Sequence, residues 1–351
     1  MCCRGMKRER KRDWSDLLPE LVHLISKNIP GLGDFIRFRA VCKNWRSFVP
    51  LSDAPQQLPW LLEGNGDSHA MMTILQEKHR FYSLFTGETG TIRAKPSCKG
   101  KSFSGPIQGH LRLFDGGHTI LRRKCHLFNP LTEEEVWLPP RPCPLGYWTI
   151  HLGGFESWAF FDTHTSKWIA AERRPSHPYC YARMMFISSR RGAFTELFSV
   201  STEKKIGHIP PPLEETQLDS RCVSTHLVNC DGDLLRVSLY SKCCLNTEHC
   251  SYFRIYEFSC EGDHCVWEEI SSIDDLVIFL DVVEAFSISA NSFPAATGLV
   301  KPNSIYFLSS ESDECKPYRY DIKQGSVQRL PCQFKTCTWF LPTLRTVTIA
   351  S

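Results

Sequence analysis

From about residue 70 onward the chain repeats one unit: a short aromatic strand, a polar turn, and a second strand closing on Trp or Pro. His126-Leu127-Phe128-Asn129-Pro130 runs to Trp137-Leu138-Pro139-Pro140, and Trp158-Ala159-Phe160-Phe161-Asp162 runs to Trp168. Further copies join Glu196–Val200 to Ile209-Pro210-Pro211, Phe253–Phe258 to Trp267, and Tyr318–Asp321 to Leu330-Pro331, and an earlier one runs from Phe81–Phe85 into the turn Gly87–Gly90. Period-two apolar runs bounded by Gly, Asn, Asp or Ser are β-hairpins. Hairpins recurring at this spacing predict a large all-β region, a kelch-like β-propeller of six or seven blades, with a hairpin-built β-sandwich as the alternative.

Ahead of this region the period is helical. Ser15 or Asp16 is placed to cap a first helix, Pro19 suits its first turn, and Leu21, Val22, Leu24 and Ile25 form its apolar stripe. Pro30-Gly31 ends it. Asp34 is placed to cap a second helix carrying Phe35, Ile36, Phe38 and Val41, and Trp45, Phe48 and Val49 continue into a third that Pro50 closes. Roughly 40 residues cannot bury this many large apolar groups alone without a disulfide, a metal or a partner. The segment holds only Cys42 and no ligand cluster, so it reads as a docking module.

The expected class is therefore α+β multidomain. It comprises a basic disordered tail over residues 1–12, a three-helix module over 13–52, a linker over 53–70 and the β body over 71–345. The tail's Lys7, Arg8, Arg10, Lys11 and Arg12 form a candidate nuclear-import run, with a solvated tail as the alternative. The rest of the chain has no basic excess and so no general field for nucleic acid. The longest apolar candidate for a membrane span, Leu276–Val283, is interrupted by Asp281 and falls short of the roughly 18–20 residues required. With basic residues leading into Trp14-Ser15-Asp16, no secretory signal is expected, and a reducing compartment (nucleus and/or cytoplasm) is. The 17 cysteines, odd in number and irregular in spacing, are accordingly expected as reduced, mostly buried thiols, Cys222, Cys230 and Cys260 among them.

Catalytic signatures are missing. Gly100-Lys101-Ser102 resembles the end of a phosphate-binding loop, but Lys95 stands where that loop needs glycine. Cys243, Cys244, His249 and Cys250, and then Cys260, His264 and Cys265, lack C-x₂-C knuckle spacing, so no metal and no cofactor is expected. Asp274-Asp275 and Glu133-Glu134-Glu135 read as solvated turns rather than acid–base pairs. Pro139–Pro144 and Arg173–Tyr179 are candidate recognition loops, or simple linkers between blades.

Leu18-Pro19-x-Leu21, Ile25 and Phe38-Arg39-Ala40-Val41-Cys42-Lys43-x-Trp45-Arg46 resemble the plant F-box proteins that carry a KIB-type β-propeller-like region. Leu127–Thr132 through Leu138-Pro139-Pro140, Trp267 through Leu280, Phe286–Ala290, Lys301–Phe307, and Tyr320-Asp321 with Gly325-Ser326-Val327 extend the likeness over nearly the whole chain. Three positions depart from the pattern: Gln108-Gly109-His110-Leu111 for the usual His-Gly and aromatic strand, Glu133 for a turn glycine, and Asp281 for a glycine. The resemblance implies a non-catalytic substrate-recognition subunit of a Skp–cullin–F-box ubiquitin ligase, docking a Skp-type adaptor and presenting a protein substrate. Adaptor contacts are expected at Leu17, Leu18, Pro19, Glu20, Leu21, Ile25, Phe35 and Ile36, and the module's core at Val22, Phe38, Val41, Cys42, Trp45 and Arg46. An F-box scaffold or transcriptional cofactor outside any ligase, and a propeller enzyme, are the alternatives.

Overall fold

A computed structural model describes residues 14–64, 73–84, 87, 89–107, 109–114, 125–137, 158–162, 167–171, 177–181, 184–188, 195–199, 205–212, 221–230, 233–241, 251–261, 264–281, 285–293, 300–311, 314–332 and 334–344. The import run at Lys7–Arg12, the loop at 139–144 and the cluster Cys243, Cys244, His249 and Cys250 lie outside them. The chain divides into two compact units, one of residues 1–57 with 343–345 and one of 58–342 with 346–351.

The first unit is helical. After a single 3-10 turn at Trp14–Asp16, three helices follow: α1 (Pro19–Lys27), α2 (Leu32–Arg39) and α3 (Lys43–Phe48). The caps differ from expectation. Ser15 and Asp16 belong to the separate turn, and Leu18 is the N-cap of α1 with no side-chain bond, Pro19 starting the helix because it has no N–H to satisfy. Gly31 caps α2, which leaves Asp34 inside its first turn, paired with Arg37 at 2.7 Å. Cys42 caps α3, its Sγ accepting the Trp45 N–H at 3.4 Å. The interior is Val22, Leu32, Phe35, Trp45 and Val49, with the Phe38 ring 4.5 Å from Trp45 and the Trp45 indole N–H donating to the Trp14 carbonyl at 3.1 Å.

The second unit consists of sheets. Among the described residues there are six, almost all antiparallel meanders. In chain order, the first full meander runs Ser102–Ile107, His110–Phe114, Cys125–Phe128 and Glu135–Trp137, with Thr73–Ile74 on its edge. The hairpin Trp158–Asp162 with Lys167–Ala171 is next, then the meander His177–Tyr181, Met184–Ser188, Thr195–Ser199 and Lys205–Ile209. Arg221–Cys230, Asp233–Ser241, Ser251–Glu261 and His264–Ile270 make the longest meander. Leu276–Leu280, Ala285–Ser289, Ser304–Glu311, Glu314–Asp321 and Ser326–Arg329 form the fifth sheet, with one parallel pairing between Leu276–Leu280 and Ser304–Glu311. The sixth sheet draws on both ends of this unit: Thr336–Phe340 pairs with Trp60–Gly64, which pairs with Lys78–Ser83 and so to Thr89–Arg93.

Packing orders these sheets. Trp60, Leu62 and Phe340 of the mixed sheet pack on Phe103, Leu111, Leu113 and Phe128 of the first meander. Its Leu61, Tyr82 and Trp339 pack on Val277, Phe279 and Tyr306 of the fifth. That sheet turns Ile278, Leu280, Ile305 and Phe307 the other way, onto Val228, Val237 and Ile255 of the fourth, which in turn meets Ile209 of the third through Leu227 and Tyr256. Sheets stacked face to face in this way, with one built from both ends of the unit, are blades of a β-propeller closed by strand exchange. Ser304–Phe307 of the fifth sheet and Leu234–Ser238 of the fourth are buried on both faces, and each large apolar side chain so buried contributes about 1.5–3 kcal/mol.

Three expectations change here. Trp60–Gly64 lies in the segment expected as a linker, so the β body starts at Leu58. His177–Tyr179, expected in a recognition loop, opens a strand. Two thiol pairs are disulfides rather than reduced: Cys260–Cys265, Cα atoms 4.1 Å apart, and Cys315–Cys337, 5.9 Å apart. Cys260 and Cys265 face one another across a hairpin, where register alone brings the sulfurs together, whereas Cys222 and Cys230 are thiols as expected.

Candidate functional site

Helix α1 carries apolar side chains around too much of its circumference for one buried face. Val22 and Ser26 point inward and are buried. Leu18, Leu21, Leu24 and Ile25 occupy the neighbouring arc and stay exposed, Leu18 at 62% and Leu24 at 58%. Helical residues at spacings of three, four and seven share a face, so these four form one continuous stripe. Ile36 of α2 is a further exposed aliphatic side chain in the unit. Pro19 and Glu20 are exposed and Leu17 is half-buried. Single exposed apolar residues are ordinary; a run of large ones on one short helix marks an interaction surface.

The expected division into contact and core is redrawn at three residues. Phe35, expected as a contact, is fully buried, because α2 turns Leu32 and Phe35 inward and Ile36 outward. Val41, expected in the core, is 57% exposed, since α2 ends at Arg39 and Val41 falls in the short link before α3. Arg46, also expected in the core, is exposed, and its carbonyl lies 3.5 Å from Arg39 Nη2. Arg39 Nε donates to the Val49 carbonyl at 2.7 Å, which ties the end of α2 to the end of α3. Leu24, expected only as part of the helical stripe, lies three residues on from Leu21 on the exposed arc, a place the helical period itself signals.

Glu133, Asp274 and Asp275 lie at turns, whereas Glu135 opens the strand Glu135–Trp137. Glu133 is an exposed turn residue, its N–H donating to the Asn129 carbonyl at 2.8 Å. Asp274 accepts from the Ser272 hydroxyl at 3.0 Å, and Asp275 Oδ2 accepts from Ser289 at 2.5 Å and Asn291 at 3.1 Å. Lys95, Ser97, Cys98, His126 and Glu135 meet elsewhere, with a Cys98 sulfur, an imidazole nitrogen of His126 and a Glu135 oxygen within 4.8 Å of one another.

The departures from the family pattern have visible consequences. Glu133 stands at φ 58°, a left-handed position that suits the glycine it replaces. Gly109 keeps such a position (φ 79°) between the paired Ile107 and His110. Asp281 is 7% exposed and accepts the Trp339 N–H at 3.0 Å and the Thr338 hydroxyl, both from the strand that completes the mixed sheet.

Among families of known fold, the model of the KIB1-4 beta-propeller matches residues 81–328. The chain belongs to the KIB1-4 beta-propeller family. The match stops short of Trp60–Gly64 on one side and Thr336–Phe340 on the other, the two strands that pair to complete the KIB1-4 body of this chain. Its relatives are plant proteins. The Arabidopsis thaliana protein named "Putative F-box protein At5g66830" is 22% identical over 377 residues, covering 94% of this chain and 93% of the relative. "F-box protein SKIP23" of the same plant is 44% identical over 57 residues, 16% of this chain and 14% of its own. A solved luciferin-regenerating enzyme overlaps 82% of this chain and 93% of its own at 10% identity, with a TM-score of only 0.33, too distant to inform function.

Proposed function

We propose that this KIB1-4 protein is the substrate-recognition subunit of a Skp–cullin–F-box ubiquitin ligase, its helical unit being the F-box and its six sheets six propeller blades. The observation that carries this reading is the exposed stripe of Leu18, Leu21, Leu24 and Ile25 on a unit too small to need it for its own core. A Skp-type adaptor is the apolar partner, and through it a cullin–RING complex is joined. The propeller holds a protein substrate and raises its effective concentration at the ligase, so no catalytic group is required of this chain. Phe35, being buried, is assigned to the interior of the unit rather than to the contact surface.

Leu18→Ala with Pro19→Ala changes two exposed side chains and leaves the interior of the unit intact. Adaptor co-purification is expected to be lost while the circular dichroism of the β body is unchanged. Retained adaptor binding refutes the assignment. Ubiquitin transfer reconstituted from the purified complex then separates a working ligase from an F-box scaffold.

A further inference from the structure

We propose that Cys98, His126 and Glu135 form a zinc site in the first full meander, tying the turn at Pro96–Cys98 to the Glu135–Trp137 edge strand. The three donors come from three elements: a 3-10 turn, the strand Cys125–Phe128, and the strand Glu135–Trp137. Register pairs His126 with Trp137 and Phe128 with Glu135, so His126 and Glu135 are diagonal neighbours on one face. Their Nε2 and Oε2 lie 3.9 Å apart, Cys98 Sγ is 3.7 Å from Glu135 Oε1, and all three donors are mutually within 4.8 Å. Zinc bonds of about 2.3 Å to sulfur and about 2.0–2.2 Å to nitrogen and oxygen set donors roughly 3.3–3.8 Å apart in a tetrahedron, so closure asks for shifts within side-chain reach.

The donor chemistry selects the ion. One thiolate, one imidazole and one carboxylate suit zinc and exclude magnesium and calcium, which want oxygen alone. Three protein ligands leave a fourth position for water, and the Ser97 hydroxyl is nearby, 3.8 Å from Cys98 Sγ. Glu135 splits its oxygens between two tasks. Oε1 takes Lys95 Nζ at 3.2 Å and the Ser97 hydroxyl at 3.1 Å, which orients the carboxylate as outer groups around metals do. Oε2 is left turned to His126. Cys98 and His126 are fully buried while Glu135 is only partly so, which gives an ion its path of entry past the carboxylate. A divalent cation supplies the positive charge that a buried thiolate needs. The opposing charge is Lys95, but thiolate and carboxylate together neutralise zinc, and the ammonium then pairs with the outer oxygen alone.

The full chain, purified without chelator, is analysed for metal and then loaded with cobalt in place of zinc. Expected are stoichiometric zinc and, with cobalt, a thiolate-to-metal charge-transfer band in the near ultraviolet with the intense visible bands of four-coordination. Cys98→Ser abolishes the charge-transfer band, and Glu135→Gln, at a partly exposed side chain, weakens metal affinity roughly 10–100-fold with an unchanged circular dichroism spectrum. Sub-stoichiometric zinc with no cobalt band in the wild-type chain overturns the proposal and leaves a Lys95–Glu135 ion pair over a core cysteine. A band undiminished in Cys98→Ser also overturns it, since the metal then sits on other cysteines.

Discussion

Removing the Asp281 carboxylate is expected to loosen the propeller at its closing strand. Asp281 follows directly on Leu276–Leu280 and reaches across to Thr336–Phe340, accepting the Trp339 N–H at 3.0 Å and the Thr338 hydroxyl. The Trp339 indole adds a third link, donating to the Leu280 carbonyl at 3.1 Å, while its ring lies edge-on to Phe279 at 5.1 Å. A hydrogen bond to a charged group contributes about 1.5–3 kcal/mol, and a buried N–H left without an acceptor costs about 1–3 kcal/mol. Thr338 is only half-buried and can turn to water, so Asp281→Ala should cost about 3 kcal/mol rather than the full sum. Asp281→Asn keeps a carbonyl oxygen for the Trp339 amide and should lose about 1 kcal/mol. The assay is urea unfolding of the full chain followed by tryptophan fluorescence. At a slope of about 3 kcal/mol per molar, the alanine variant's midpoint falls by about 1 M. An alanine variant within about 0.5 kcal/mol of wild type, or an asparagine variant as damaged as alanine, refutes the clasp.

Two further perturbations follow from buried or strained positions. The His79 ring accepts the Gln76 N–H at 2.7 Å on Nε2 and, as the neutral tautomer, donates from Nδ1 to the Glu63 carbonyl at 3.1 Å; burial, opposed by its Glu63 and Gln76 contacts, lowers its pKa. Its contribution is therefore whole above the unfolded value of about 6.5 and is lost as pH falls through the lower folded pKa, so the drop in urea midpoint from about pH 7.5 to 5 should be smaller in His79→Leu. An equal drop in both proteins argues that the ring is already solvated. Glu133→Gly relieves a side chain at φ 58° and should stabilise by about 0.5–1 kcal/mol, with Glu133→Ala near neutral, by the same unfolding measurement. A glycine variant less stable than the alanine one would show that Glu133 is not strained.

Hairpins were legible because their information is local. Trp158–Asp162 with Lys167–Ala171, and Glu314–Asp321 with Ser326–Arg329, carry the alternation and the turn residues within a few positions of one another. Trp60–Gly64 was not legible. Its sheet partner Thr336–Phe340 lies at the other end of the β body, and burial on both faces makes Trp60-Leu61-Leu62 an apolar run without period. In the helices the apolar period was plain, but α1 and α2 are apolar on more than one face. Which arc turns inward depends on packing, so Phe35 is buried and Val41 is exposed. The sequence places Glu135 in a solvated acidic run and gives no link to Cys98 or His126, because strand pairing, rather than spacing along the chain, brings the three together.

The exchange of strands between Trp60–Gly64 and Thr336–Phe340 also has a consequence for synthesis. On the ribosome, Trp60–Gly64 emerges long before Thr336–Phe340 exists, so the β body stays open while most of the chain is made. Until that late strand arrives, Trp60, Leu61 and Leu62 present a bare, apolar sheet edge of the kind that recruits other chains. A message cut short before codon 336 would yield a β body left open at that edge and a helical unit without residues 343–345. Termination in that final stretch is therefore expected to give a chain that associates through its open edge, rather than simply a shorter one.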